Sequence, residues 1–286
     1  MSQRVLVIGG TGMLGEPVVR SLAAAGHPVR VLSRHPERGE KRFEGVAELV
    51  PGDVDDGDSL ARAMSGCGGV HLNLDGAGDW DLERRGALAV SERARAAGVQ
   101  RISLISGAST LKQNAWFPMT AAKLAAEEAV RGSGIAFSIF RCSMFMETLP
   151  KFVRDGRAMI MGYQPQPWQW LAARDYAAMV ARAYEVPEAA GKIFHLRGPQ
   201  ALRMAQAVET YQRLVAPETK VTFVPFSVLR VMSWMPRHRE LREVGLPLMR
   251  YFSKVGESGD PSEANALLGA PTTTLEEWCR ERAARK

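Results

Sequence analysis

Cysteine is scarce in this chain. Cys67, Cys142 and Cys279 are the only three in 286 residues, and they are scattered. That excludes a disulfide framework and a thiolate zinc site, and fits a reducing compartment. Long apolar runs are missing as well: none approaches the ~20 residues that a membrane-spanning helix needs. No secretory signal is read at the N-terminus, because the first apolar run starts at Val5 and ends in glycines rather than in a cleavage site. A dense basic stripe is also absent. The formal net charge is +6, but the positive residues are dispersed, and the short run PRHRELR (236–242) includes an acid. Nucleic acid is therefore not an expected partner. None of the five histidines stands at metal-ligand spacing, so no metal is expected. What remains is ordinary globular material, 46% hydrophobic and 24% charged. The length suits one large domain, or a domain with a smaller lobe. A cytoplasmic location is the expectation.

The first 140 residues alternate short β-branched runs with helical spacing. RVLVIGG (4–10), PVRVLSR (28–34), VAELVPGD (46–53), GVHLNLDG (69–76), RISLISGAS (101–109) and IAFSIFR (135–141) predict strands. Helices are predicted over 12–25, after a cap at Asp58 or Ser59, over about 80–97 and over 115–131. This rhythm predicts right-handed βαβ units, an α/β doubly wound parallel sheet of the Rossmann type. The second half is less regular. RAMIMGY (157–163) and KIFHLRG (192–198) predict strands around a helix near 174–185, followed by a helix over 203–215 and a strand KVTFVPF (220–226). The expected division is a dinucleotide domain over 1–200 and a smaller, mainly helical lobe over 201–286, the two intertwined without a sharp boundary.

Chemistry concentrates in VLVIGGTGMLG (5–15). Gly10-x-Gly12-x-x-Gly15 and Gly9-x-x-Gly12-x-x-Gly15 both fit dinucleotide fingerprints, directly after a strand and opening a helix. Such glycines let backbone N–H groups approach a pyrophosphate, and the helix N-terminus favours its charge. Gly9, Thr11, Gly12, Met13, Leu14 and Gly15 are the loop candidates. At the end of the second strand, an NAD site places an acid against the ribose 2′-hydroxyl. Here Ser33 and Arg34 stand there, with Arg38 close behind. A guanidinium suits a 2′-phosphate, so NADP(H) is favoured over NAD(H). Asp53 is a candidate for the adenine amino group with Val54 against the ring; a simple turn Asp is the other reading. Asn73 and Leu74, at the fourth strand's end, are expected to line the same cleft. His71, inside that strand, reads as a core residue.

These residues, with GDV (52–54), ISGAS (105–109), TAAKLAAEEAV (120–130), IFRCSMFMETL (139–149) and WLAARDYAAMVARA (170–183), resemble the short-chain dehydrogenase/reductase superfamily. The likeness is to its atypical branch, the NmrA-like and isoflavone-reductase-like proteins. It covers about residues 1–200. It implies that Lys123 holds the nicotinamide ribose and that Ser106 bonds a substrate carbonyl, which makes these two the catalytic candidates. The superfamily's Tyr-x-x-x-Lys pair is broken, because Met119 stands four residues before Lys123. A thioether has no proton to give. Cys142 also replaces the proline common in the branch. Tyr163 is a possible alternative donor or a surface aromatic.

The stretch FSVLRVMSWMPRHRELREVGLPLMRYF (226–252) has three readings: core packing, a lid over an apolar pocket, or a patch touching a membrane surface or partner. Two functions follow. One is an NADPH-dependent reductase of an apolar carbonyl, enone or quinone. The other is a non-catalytic NADP(H) sensor acting through a protein partner. Either a monomer or a homodimer paired through the helices over 80–97 and 115–131 is compatible with both.

Overall fold

The computed structural model describes residues 3–76, 78–154, 156–235 and 238–285. The first two residues of the basic run at 236–242 lie outside the described residues. Two compact units are present. The first comprises Met1–Cys142, Ala173–Leu196 and Asp260–Ala270; the second comprises Ser143–Ala172, Arg197–Gly259 and Pro271–Lys286. The chain therefore passes between the units several times.

The first unit is a Rossmann-like α/β layer structure. Its seven strands are β1 (Val5–Ile8), β2 (Val29–Ser33), β3 (Glu48–Pro51), β4 (Gly69–Leu72), β5 (Arg101–Gly107), β6 (Ala136–Cys142) and β7 (Lys192–Leu196). All pairings are parallel, in the spatial order 7-6-5-4-1-2-3. The order reverses between β1 and β4, which is where a doubly wound sheet opens a crevice at its strand ends. Every residue of β1 and β4 is buried. Strands covered on both faces read as continuous apolar runs, and VLVI does.

Helices α1 (Gly15–Ala24), α2 (Glu40–Phe43), α3 (Gly57–Met64), α4 (Leu82–Ala94), α5 (Pro118–Gly132), α6 (Ala173–Glu185) and α7 (Ser262–Leu268) flank the sheet. One face packs Leu6, Ile8, Leu72, Ile102 and Leu104 against Leu60, Met64 and Val90 of α3 and α4. α1 packs on α6 and buries Val18, Val19 and Leu22. Each such aliphatic side chain contributes about 1.5–3 kcal/mol of burial.

The α3 cap differs from the expected Asp58 or Ser59. Asp56 is the N-cap, and its carboxylate accepts from the N–H groups of Asp58 and Ser59. Those bonds, Ser59 foremost, hold the Asp56 carboxyl below its ordinary 3.8. Such a group stabilises the fold above its unfolded pKa and loses that contribution as pH falls through the folded value. Asp56→Ala is therefore expected to melt below the parent at pH 7, with the gap closing below about pH 3.8. Thermal melts across that range check it. α4 is also shorter than the predicted 80–97, running Leu82–Ala94.

The second unit is not purely helical. It holds a three-stranded sheet of Val153–Arg154, Arg157–Met161 and Lys220–Val224, with helices at Met204–Val215, Phe226–Met232, Leu246–Phe252 and Leu275–Ala283. In the 226–252 stretch, Leu229, Leu246, Met249, Tyr251 and Phe252 are buried, whereas Val231 and Trp234 are exposed. Core packing thus accounts for only part of it. Tyr163 is exposed. No described helix is long and apolar enough to cross a membrane. The three cysteines are free and buried.

Candidate dinucleotide site

The glycine loop is a close-packed cradle. Gly9 has φ +82°, and a Cβ there would stand 2.1 Å from the Asn73 carbonyl oxygen. A Cβ at Gly15 would stand 2.1 Å from the Gly9 carbonyl oxygen. These two glycines let the loop, β4 and α1 meet. Gly12 differs. Its Cβ would have only the Gly9 carbonyl oxygen nearby, at 3.2 Å, and otherwise open space. The Gly12 N–H donates to Gly9 and the Gly12 carbonyl accepts from Glu16, at 3.1 Å each. The N-cap of α1, Leu14, offers no side-chain cap. In the first turn Pro17 has no N–H and that of Glu16 is engaged by Gly12, so the helix start offers an outside acceptor the Gly15 N–H and the partial positive charge of its end. Met13 is exposed and Leu14 half-buried.

At the end of β2, Ser33 is buried, and its Oγ accepts from the His35 N–H at 3.1 Å. Arg34 is exposed and makes no ion pair among the described residues. Arg38 is exposed and lies 3.9 Å from Glu37. Sequence reasoning missed Arg42. On α2, it donates to the Thr11 carbonyl at 3.0 Å and sits 3.3 Å from the Glu16 carboxylate. It therefore ties the glycine loop to the β2 side of the crevice. Asp53 stands in a turn, its Oδ1 accepting from the Asp55 N–H at 3.1 Å. Val54 is buried, and Leu74 packs over Gly86.

Lys123 on α5 has a partner that the sequence pattern did not indicate. Its Nζ lies 2.8 and 2.6 Å from the two carboxylate oxygens of Glu83 on α4. The side chains are 14% and 7% exposed. The lysine stem passes the end of β5, with Cδ 3.6 Å from where a Gly107 Cβ would stand. Ser106 is buried, and its Oγ donates to Glu127 at 2.6 Å. Glu127 is also gripped by Arg141 at 3.0 and 2.7 Å. Ser106 is thus engaged by the protein's own buried network. Met119 is half-buried in the first turn of α5. No group of His, Cys, Asp and Glu among the described residues is placed to hold a metal. A depression of about 520 Å³ lined by Pro36, Glu40, Lys41, Phe43, Glu44, Ala47 and Leu49 includes none of the loop glycines.

The model of the NmrA-like family matches residues 1–279. The chain belongs to the NmrA-like family. Among its relatives is the (4-alkanoyl-5-oxo-2,5-dihydrofuran-3-yl)methyl phosphate reductase of Streptomyces griseus, 27% identical, with 98% of each chain covered. The photosystem II assembly factor Ycf39 of Cyanophora paradoxa is 26% identical over 79% of this chain and 73% of its own. Among solved structures, the Citrobacter sp. triphenylmethane reductase complexed with NADP(H) superposes with a TM-score of 0.77 at 20% identity. That match covers 99% of this NmrA-like chain and all of the other, and it shows the shared fold.

Proposed function

We propose that this NmrA-like protein binds NADP(H) and reduces an apolar carbonyl, enone or quinone. The observation that carries the reading is the glycine cradle at the open N-terminus of α1, with Arg34 at the β2 end where an NAD site needs an acid. The cradle fits a pyrophosphate, since Gly9 and Gly15 let the loop close against β4 and α1 while Gly12 leaves the space over the loop open. Thr11, Gly12, Met13 and Leu14 would face the phosphates, Ser33 and Arg34 the 2′-phosphate, and Asp53, Val54 and Leu74 the adenosine side. When bound, NADPH supplies a hydride. Lys123, fixed by Glu83 beside the end of β5, orients the ribose at that end. Met119 cannot give a proton. Substrates whose reduced form is a delocalised anion, an enolate or a quinol anion, need the least from a general acid, so enones and quinones fit best. A reducing cytoplasm suits the three free thiols.

A non-catalytic sensor is the second reading. It is favoured by Met119 and by a relative that is an assembly factor. NADPH oxidation against a quinone and enone panel separates the two, since the sensor binds without turnover.

The cofactor half is tested by titrating the full chain with NADPH and NADH. The parent is expected to favour NADPH at least about tenfold, about 1.4 kcal/mol, a size that one arginine–phosphate contact supplies. Arg34→Ala is expected to erase that preference. Equal affinity for both nucleotides in the parent would end the NADP assignment.

A further inference from the structure

A file of polar side chains, all buried but the half-buried Tyr184, runs between α6 and strands β5 and β4 and ends beside the glycine loop. Tyr184 Oη lies 2.8 Å from Ser103 Oγ, and Ser103 Oγ lies 2.7 Å from His71 Nδ1. His71 Nε2 lies 3.0 Å from Tyr176 Oη, and Tyr176 donates to Asn73 Oδ1 at 3.2 Å. His71 is fully buried, and burial pushes its pKa down to about 3, so it is neutral with one ring N–H. Burial likewise keeps Tyr176 and Tyr184 protonated.

With one proton on each group, the file has two possible polarities. In the first, Tyr184 donates to Ser103, Ser103 to His71 Nδ1, His71 Nε2–H to Tyr176, and Tyr176 to Asn73 Oδ1. Every proton along the file then has an acceptor, and the last acceptor is the amide oxygen. In the reverse polarity, Asn73 must donate into the file, and the Tyr184 proton ends without an acceptor in it. The structure places the Asn73 amide oxygen, which can only accept, against Tyr176, so the first polarity holds. It turns the Asn73 amide with its oxygen inward. The hydrogen bond that the Asn73 side chain makes to the described residues is through Oδ1, so the Nδ2 donors are left for something else. Asn73 is only 8% exposed, and its own carbonyl is the atom against which Gly9 packs.

We infer that Tyr176 and His71 are positioning residues. They fix the Asn73 amide so that Nδ2 donates a hydrogen bond to the phosphate or ribose oxygens of a dinucleotide seated on the glycine loop. This rests on the dinucleotide reading above and assigns a task to three buried polar residues that the glycine fingerprint leaves unexplained. Histidine and tyrosine in the β4–α6 layer are otherwise costly to bury, and plain core packing would be met by apolar side chains.

The test is a double-mutant cycle on NADPH binding by the full chain. Tyr176→Phe removes one hydroxyl and keeps the ring. It is expected to weaken NADPH about five- to tenfold, and Asn73→Ala at least as much. The double variant is expected to bind like Asn73→Ala alone, because Tyr176 acts only through the amide. A merely structural Tyr176 would instead weaken binding by the same factor in either background. That multiplicative result overturns the inference, as does parental affinity in Tyr176→Phe. Should the parent itself bind no dinucleotide, this inference and the cofactor reading fall together. A parent that binds with an additive cycle sinks this one alone. Thermal melts of each variant confirm that affinities are read on folded protein.

Discussion

Gly9→Ala is expected to cost the fold roughly 2–4 kcal/mol and to abolish dinucleotide binding, whereas Gly12→Ala should fold normally and only fail to bind. Gly9 has φ +82°, a conformation that costs an alanine about 1–2 kcal/mol by itself. Its Cβ would also stand 2.1 Å from the Asn73 carbonyl oxygen, a backbone atom that moves only with β4. Gly15→Ala carries the same kind of penalty through the Gly9 carbonyl, and it separates α1 from the loop. At Gly12 the new methyl meets one atom, at 3.2 Å, and otherwise enters the open space over the loop. Its cost falls on what occupies that space. Urea melts with parallel NADPH titrations check both halves. The cradle assignment fails if Gly12→Ala binds as the parent does, or if Gly9→Ala is as stable as the parent.

How far the sequence reveals the site depends on how local each determinant is. The glycine fingerprint is legible because its work is done by backbone within a few residues: the turn, the helix start and the approach of Gly15 to Gly9. The same holds for β1, β4 and β5, whose β-branched runs match strands buried on both faces. The α3 cap is local too, yet DVDDGDS offers five possible caps within seven residues, and only the backbone turn selects Asp56. What stays hidden is long-range. Glu83 lies 40 residues from Lys123, and Arg42 lies 31 from Thr11. Neither pair has a sequence signature, because their meeting depends on α4 lying on α5 and on α2 following β2. In the C-terminal half the elements are legible, at 157–163, 174–185, 192–198, 203–215 and 220–226, but their placement is hidden for a similar reason. KIFHL is a strand of ordinary pattern, but its place as the seventh strand beside β6 comes from a crossover through α6. The segment from 143 to 172 belongs to the second unit although it directly follows β6.

Lys123→Ala is expected to destabilise the protein by about 3–5 kcal/mol, because it strands the Glu83 carboxylate. That carboxylate is 7% exposed, and both its oxygens are committed to the lysine. A surface ion pair would give a tenth of this, and its contribution would fade with salt; a buried pair is screened little. Replacing both partners, as Lys123→Met with Glu83→Leu, removes the stranded charge along with the pair. Apolar replacements of similar volume often match a buried ion pair in stability, so the double variant should regain most of the loss. On the role proposed for Lys123, binding and turnover should not recover, since the ammonium is gone. The two readouts therefore divide the roles of one residue: stability follows the balance of charge between α4 and α5, and function follows the presence of Nζ. Urea denaturation and NADPH titration on the single and double variants measure both. If Lys123→Ala is as stable as the parent, the pair is not buried in solution. If the double variant binds and turns over like the parent, Lys123 is a structural residue only, and the ribose end of the site must be sought elsewhere along β4 and β5.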